Sequence, residues 1–400
     1  MEKILICTNH FYPETFRVND IAFHLAEKGY DVTVLTAIPD YPKGKYYDGY
    51  GVFRRRKETV QGVKVIRGFI ISRGKGGAFR IVFNYFSFFI SSILISIYLG
   101  LFHKFDRIFV HETSPIMIGV PAIIVKKLQH IPLLFWVLDL WPESLQAAGG
   151  VNNIRILKLF EKLTKWIYKN SDKILISSRG FEQSIIDKGD FKDKIVYFPN
   201  WVDREMASDK QISLPQLPQG FIVMFAGNIG EAQDFEHIMD AAIRLRSHKD
   251  IHFVIVGNGR KFKWVESFVQ NNSLEEQVHL LGRYPSETMP LLFSKADVML
   301  VTLKDASIFN LTVPAKLQAY MSAGKPIVAM MNGEGPRIIA DAQCGWSVPA
   351  GDAKGLAKCI LEISSFDEEI LLNKGSNGRR YQIDNFNVDK CLLALERMME

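Results

Sequence analysis

Lys316 is the residue in this sequence most readily given a chemical task. In NLTVPAKLQAYMSAGKPIVAM (residues 310–330), Pro314 marks a helix start, Lys316 falls in the first turn, Gly324 ends a short helix and an apolar strand follows. A helix N-terminus carries partial positive charge, and a lysine there adds a whole one, so the place suits a diphosphate. A second phosphate candidate is the turn FAGNIGEAQD (residues 225–234), where Gly227, Asn228, Ile229 and Gly230 leave an apolar run and lead into helix-like sequence. Glycine turns of this kind turn backbone N–H groups toward an anion.

Three further loops carry ionisable side chains directly after apolar runs. TNHFYPETFRVND (residues 8–20) holds His10 and Arg17, VHETSP (residues 110–115) holds His111 and Glu112, and FWVLDLWPES (residues 135–144) holds Asp139 and Glu143. Strand-end loops are where open α/β sheets bind ligands, so acid–base or sugar-binding roles fit these residues. Taken singly, each has a plainer reading: His10 as a capped loop residue, Glu143 after Pro142 as a helix cap, Lys316 as a surface lysine. Several chemistries lack their motifs. The first loop has no G-x-G-x-x-G, and the chain contains no G-x-x-x-x-G-K-[ST], H-E-x-x-H, G-x-S-x-G, Cys/His cluster or D-x-D pair. Dinucleotide, P-loop, zinc-hydrolase, serine-esterase and metal-dependent readings therefore recede, and no metal or cofactor is expected.

The elements that must position these loops are short strands alternating with helices. KILICT, DVTVLT, DRIFV, PLLFWVL, DKILIS and KIVYF come before residue 203, and FIVMFAG, IHFVIVG, VHLLG, DVMLVTL and KPIVAM after residue 219. Apolar strands separated by helices imply βαβ units and parallel sheets. Between the two series, DREMASDKQISLPQLPQ is polar and holds two prolines, the composition of a linker. The expectation is an N-terminal domain over 1–202, a linker over 203–219, a second domain over 220–380 and a C-terminal helical segment, 381–400, that packs back on the first domain. With 400 residues, 48% hydrophobic and 23% charged, the chain is long enough for two globular domains. Its four cysteines are scattered, with no C-x-x-C pair, and the first apolar run is too short for an export signal, so a cytoplasmic location is expected.

The segments HFYPETFRVNDIAFHLAEKGYDVTVLT, VYFPNWVD, AGNIGEAQDFEHIMDAA, VIVGNGR, HLLGRYPSETMP and VPAKLQAYMSAGKPIVA, in this order, resemble glycosyltransferase family 4, the GT-B retaining sugar transferases, and within it the bacterial enzymes of capsule, O-antigen and colanic acid synthesis. The resemblance spans essentially the whole chain. It implies two Rossmann-like, doubly wound domains facing across a cleft, with the acceptor on the first and a nucleotide-sugar, UDP-linked by family habit, on the second. It places Gly227 to Gly230 along the diphosphate, Gly257, Arg260, Arg283 and Tyr284 around the nucleotide, Val313 and Lys316 near the phosphates, His111 and Glu112 on the acceptor side, and His10, Arg17, Asp139 and Glu143 toward the sugar. Two departures stand out. Asn228 and Gln233 occupy a turn that carries Arg and Lys in the family, and the E-x(7)-E motif is replaced by Leu311 and Ala319. A deoxy or N-acetylamino sugar would remove the need for the missing glutamate. A sugar-nucleotide epimerase of the same fold and a non-catalytic nucleotide-sugar-binding scaffold are the alternatives.

One stretch stands apart. IVFNYFSFFISSILISIYLGLF (residues 81–102) has no charge, and residues 51–100 hold nine basic residues against one acid, Glu58. Its 22 residues would span about 33 Å as a helix, enough to cross a bilayer. It lies between two strands of one expected sheet, however, and Asn84, Ser87 and Ser91 recur along one side. We therefore expect a docking helix whose Phe83, Phe86, Phe89 and Ile90 face outward, drawn to an anionic membrane surface by basic residues including Arg54, Arg73, Lys75 and Arg80; a wholly buried helix is the alternative. Nucleic acid is the lesser partner for this basic surface, since aromatics do not alternate with the charges.

Overall fold

The computed structural model describes residues 1–74, 77–147, 150–202 and 214–399. It divides into two units, Met1–Pro199 with Leu392–Glu400, and Asn200–Cys391.

The first unit is built on β1 (Lys3–Thr8), β2 (Asp31–Ala37), β3 (Lys57–Val60), β4 (Val63–Gly68), β5 (Arg107–Glu112), β6 (Leu133–Val137), β7 (Lys173–Ile176) and β8 (Ile195–Tyr197). They form one sheet in the order β3-β4-β2-β1-β5-β6-β7-β8, parallel except for the edge hairpin of β3 and β4. Five of six residues of β1 and all of β6 are buried. Strands apolar on both faces need helices on both faces, which explains why their sequences read as continuous hydrophobic runs. Helix α1 (Arg17–Glu27) supplies one such cover, burying Val18, Ile21, Ala22 and Leu25 at helical spacing.

The second unit carries β9 (Phe221–Ala226), β10 (Ile251–Val256), β11 (Val278–Gly282), β12 (Val298–Thr302), β13 (Ile327–Met330) and β14 (Gly345–Val348), paired in the order β11-β10-β9-β12-β13-β14 and parallel at each pairing. In both sheets the chain winds outward from a central strand, then returns to wind the other way. The reversal falls between β1 and β5 in the first sheet and between β9 and β12 in the second. Each is a topological switch point, where loops at the carboxyl ends of the strands part to leave a crevice.

The expected linker is only partly described, since 203–213 lie outside the described residues. Leu214 and Leu217 pack against the core of the second unit, so they are part of that fold. At the other end, the helix Glu368–Asn385 lies in the second unit, and the residues grouped with the first begin at Leu392. Within the first unit, Glu396 pairs with His24 at 2.5 Å and Lys173 donates to the Met398 carbonyl.

The apolar stretch forms α2 (Ala78–Phe102), the crossover that carries the chain from β4 to β5 of the same sheet. A bilayer span there would separate strands that belong to one sheet. Its inner side is small and polar: Asn84 bonds the Ile71 carbonyl, Ser87 accepts from the Ile71 N–H and Ser91 donates to the Phe69 carbonyl. Helix α3 (Gly119–Gln129) lies against it, with Leu128 so close to Gly100 that a Cβ there would come within 2.5 Å. The opposite side is bare. Phe79, Val82, Phe83, Phe86, Ile90, Leu94, Ile97, Tyr98, Leu101 and Phe102 are exposed, and only 22% of the most apolar window is buried. This rules out the wholly buried alternative; of the four expected outward residues, Phe89 is half-buried.

Candidate active site

Loops 9–16 and 113–115 meet at the switch point of the first sheet, where Thr8 pairs with His111 across β1 and β5. The Asn9 amide donates to the Thr113 carbonyl at 2.8 Å, clipping the loops together. Hydrogen-bond bookkeeping fixes both histidine tautomers. Thr8 Oγ1 spends its proton on the His10 carbonyl, so His111 Nδ1–H must donate to it at 3.0 Å, leaving Nε2 as an acceptor. Burial, with the Arg17 charge adding to it, pushes the His111 pKa down to about 3, so His111 is neutral at physiological pH. Arg73 has only donors, and its Nη2 lies 3.1 Å from His10 Nε2; the His10 proton therefore sits on Nδ1, donated to Glu14 Oε2 at 2.7 Å.

His10 is thus a neutral link with both ring nitrogens engaged, stacked on Phe16, and it orients Arg73 and Glu14. Glu14 Oε1 accepts the backbone N–H groups of Asp40 and Tyr41, while Asp40 Oδ2 accepts from Arg73 N and Asn84 Nδ2. The network joins the loops after β1, β2 and β4 to the inner side of α2. Glu14, Asp40, Arg73 and Asn84 were not among the site residues read from the sequence. The His10/Glu14 spacing of four was the available signal for one of them; the others come from loops far apart in the chain. Arg73 also corrects the expected membrane-facing charge, since its side chain is 15% exposed and faces Asp40. Arg67 is fully buried against Glu58, Lys64 pairs with Asp31, and Lys75 lies outside the described residues. Arg54, Arg55, Lys57 and Arg80 remain exposed.

Glu112 lies beneath the site. Its carboxyl is wholly buried, and Oε2 accepts from Leu138 N and Asp139 N at 3.1 Å. Burial, with the Asp139 charge adding to it, pushes the Glu112 pKa well above its ordinary value, while the carboxyl positions the 138–139 loop through its two backbone bonds. Asp139, half-buried above it, accepts from Ser114 Oγ at 2.6 Å. Arg17 is half-buried at the start of α1. Glu143 does not join this group: it accepts from Ser184 and pairs with Lys188, fastening its helix to the segment after β7.

In the second unit the loops after β9, β10 and β11 are laced by backbone bonds. Gly227 N donates to Val256 O, Ile229 N to Asn258 O, Lys261 N to Ile229 O and Gly257 N to Gly282 O. A Cβ on Gly257 would come within 1.8 Å of the Gly227 carbonyl oxygen, so the approach requires glycine there. This lacing engages the backbone of two of the expected turn residues. The N–H groups of Gly227 and Ile229 are already bonded, and the Ile229 side chain is fully buried, so both build the turn. Asn228, Arg260 and Arg283 are exposed, Gly230 is buried, and Tyr284 and Val313 pack against the core.

Lys316 lies over this turn. Its helix, Ala315–Ser322, is bolted to the end of β9 by Tyr320, whose hydroxyl donates to the Ala226 carbonyl at 3.0 Å and accepts the Ala226 N–H at 2.9 Å. One turn earlier, Lys316 reaches across Gly227, where a Cβ would come within 2.5 Å of Cε, and bonds the Gln233 amide oxygen. Its ammonium sits 3.7 Å from the Phe225 ring centroid. Among the described residues it has no carboxylate partner, and burial pushes its pKa down to about 7. A cation held without a counter-ion at a switch point is a site prepared for an anion.

Comparison with known proteins agrees with this geometry. Residues 16–206 match the model of Glycosyltransferase Family 4 and residues 220–365 that of Glycosyl transferases group 1. The probable glycosyltransferase WbjE of Pseudomonas aeruginosa is 32% identical over 58% of this chain and 60% of its own length. The putative colanic acid biosynthesis glycosyl transferase WcaI of Escherichia coli is 26% identical over 80% of the chain and 81% of its own length. The crystal structure of Anabaena Alr3699/HepE in complex with UDP superposes with a TM-score of 0.70, covering 100% of this chain and 99% of that one at 12% identity. The fold is GT-B. The chain belongs to the glycosyltransferases, its first half matching family 4 and its second half glycosyl transferases group 1.

Proposed function

We propose that the protein moves a sugar, with retention of configuration, from a nucleoside-diphosphate sugar to a lipid-linked saccharide in surface polysaccharide synthesis, without a metal, at the inner face of the cell membrane. UDP is the expected nucleotide, and a deoxy or N-acetylamino sugar the expected cargo. The observation that carries this reading is Lys316, a cation without a carboxylate partner among the described residues, held over the glycine turn after β9. The relatives' polysaccharide assignments and the UDP in the Anabaena structure support it.

In this mechanism the C1–O bond to the diphosphate breaks, and the acceptor hydroxyl attacks C1 from the same face. The hydroxyl proton passes to the departing diphosphate oxygen, so no protein nucleophile is needed. Lys316 stabilises the charge that grows on the leaving group, which is where a fixed cation lowers the barrier. In the first unit, Arg73, Asp139 and the His111 Nε2 acceptor are the groups proposed to hold sugar hydroxyls.

Membrane association is part of the proposal, supported by the bare side of α2 and the cations beside it. Phe53 is 96% exposed next to Arg54 and Arg55, and Lys57 lies 5.8 Å from the Tyr98 ring. Full burial of an apolar side chain contributes about 1.5–3 kcal/mol, so a run of ten left exposed is a binding surface awaiting a lipid. The decisive experiment incubates the protein with UDP- and GDP-sugars, with and without membrane lipid extract, following nucleotide release and the fate of the sugar. Lipid-dependent release supports the transferase, a free epimerised sugar makes it an epimerase, and binding without turnover makes it a scaffold.

A further inference from the structure

A concavity of about 620 Å³ opens at the head of α2, lined by Lys43, Lys45 and Arg80 together with Gly44, Gly74 and Phe79. Among the described residues no acidic side chain lines it, and none of the three cations is paired with a carboxylate. Its floor is held by bonds: Gly74 N donates to the Gly44 carbonyl, Ser72 Oγ donates to the same oxygen, and Gly44 N donates to the Asp40 carbonyl. A Cβ at Gly44 would come within 2.0 Å of the Gly74 carbonyl oxygen, and both glycines have positive φ. The first turn of α2 has no acid either.

Two surfaces run out from this concavity. In one direction Phe79, 84% exposed, begins the bare apolar side of α2. In the other, Asp40 and Arg73, from the same two loops, lead to His10. A ligand matching all three would carry a compact multiple negative charge, a long apolar chain on one side and a polar group on the other.

We infer that this concavity seats the diphosphate of a lipid-linked acceptor, whose hydrocarbon chain lies along α2 and whose saccharide reaches toward Arg73. This rests on the transferase reading above and names the part of the acceptor that the chain grips. A diphosphate diester fits better than a single phospholipid headgroup, because three unpaired cations converge on one hollow and a phosphodiester brings one negative charge.

The test is flotation of the full chain with phosphatidylcholine vesicles that are unmodified, doped with a polyprenyl diphosphate, or doped with phosphatidylglycerol to equal charge. The diphosphate lipid should tighten binding beyond phosphatidylglycerol. Lys45→Gln with Arg80→Gln should abolish that excess, a loss of about 25-fold at about fivefold per charge. Phe83→Ser should weaken binding to all three vesicles and leave the excess in place. Equal tightening by both doped vesicles, or an excess that survives the double substitution, overturns the inference. UDP binding to the same variants, followed by calorimetry, keeps the two ideas apart. Diphosphate-specific flotation without UDP binding would sink the transferase reading alone, and UDP-dependent transfer without that flotation excess would sink the diphosphate seat alone.

Discussion

Lys316 makes donor affinity depend on pH in a direction that can be worked out beforehand. Its pKa of about 7 in the free protein means that it is half neutral at physiological pH. A bound diphosphate favours the ammonium form and restores the pKa toward the ordinary 10.4 or so. Binding above pH 7 must therefore take up a proton, and affinity falls as pH rises. At pH 9 only about 1% of the free protein carries the charge, so the dissociation constant should rise about 100-fold between pH 6 and 9, about 2.7 kcal/mol. The assay is calorimetry with a UDP-sugar, because its diphosphate diester keeps a constant charge over this range, whereas the terminal phosphate of UDP titrates near pH 6. Lys316→Met should bind weakly and with a flat profile, which the wild-type curve approaches only above about pH 10.4. A flat wild-type profile, or a pH dependence that persists in Lys316→Met, would refute the reasoning.

Further outcomes follow from the same geometry. Lys316→Ala should lower turnover by about tenfold or more while leaving the thermal unfolding transition cooperative. Tyr320→Phe removes the partner of both buried Ala226 backbone groups and should cost about 1–3 kcal/mol in urea unfolding; an unchanged midpoint would show that these bonds contribute nothing. Glu112 has a folded pKa above its unfolded one, so its contribution to stability is complete below about pH 4.3 and is lost as pH rises through the folded value. Glu112→Gln should flatten that part of the stability profile, and an identical profile in both proteins would contradict a raised Glu112 pKa. Phe83→Ser with Leu94→Ser should reduce flotation with anionic vesicles while leaving UDP affinity unchanged; equal flotation of variant and wild type would remove α2 from the membrane contact.

The alternation of apolar runs made both sheets legible, because strands buried on two faces must be hydrophobic throughout. Lys316 was legible for a related reason: Pro314, Lys316 and Gly324 are local signals of where a helix begins and ends, and the lysine falls within its first turn. What the sequence hides is partnership across distance. Arg73 looked like one more charge in a basic run, and only the meeting of the loops after β1, β2 and β4 turns it toward His10 and Asp40. Glu112 and Glu143 sit at comparable strand-end positions, yet one is a buried acid clamping a loop and the other half of an ion pair. Gln233, read as the loss of a family cation, is the partner that holds Lys316.

The first unit closes with residues from the far end of the chain, Leu392 onward, where Glu396 meets His24 and Met398 meets Lys173. During synthesis, the unit begun first is thus completed after the second: its sheet and α1 emerge early, wait while the whole second unit is made, and only then receive the helix that carries Glu396. Until then, the α1 surface that will take Glu396 stays uncovered. A ribosome stalled within the second unit would display a half-finished first domain, a natural client for chaperones.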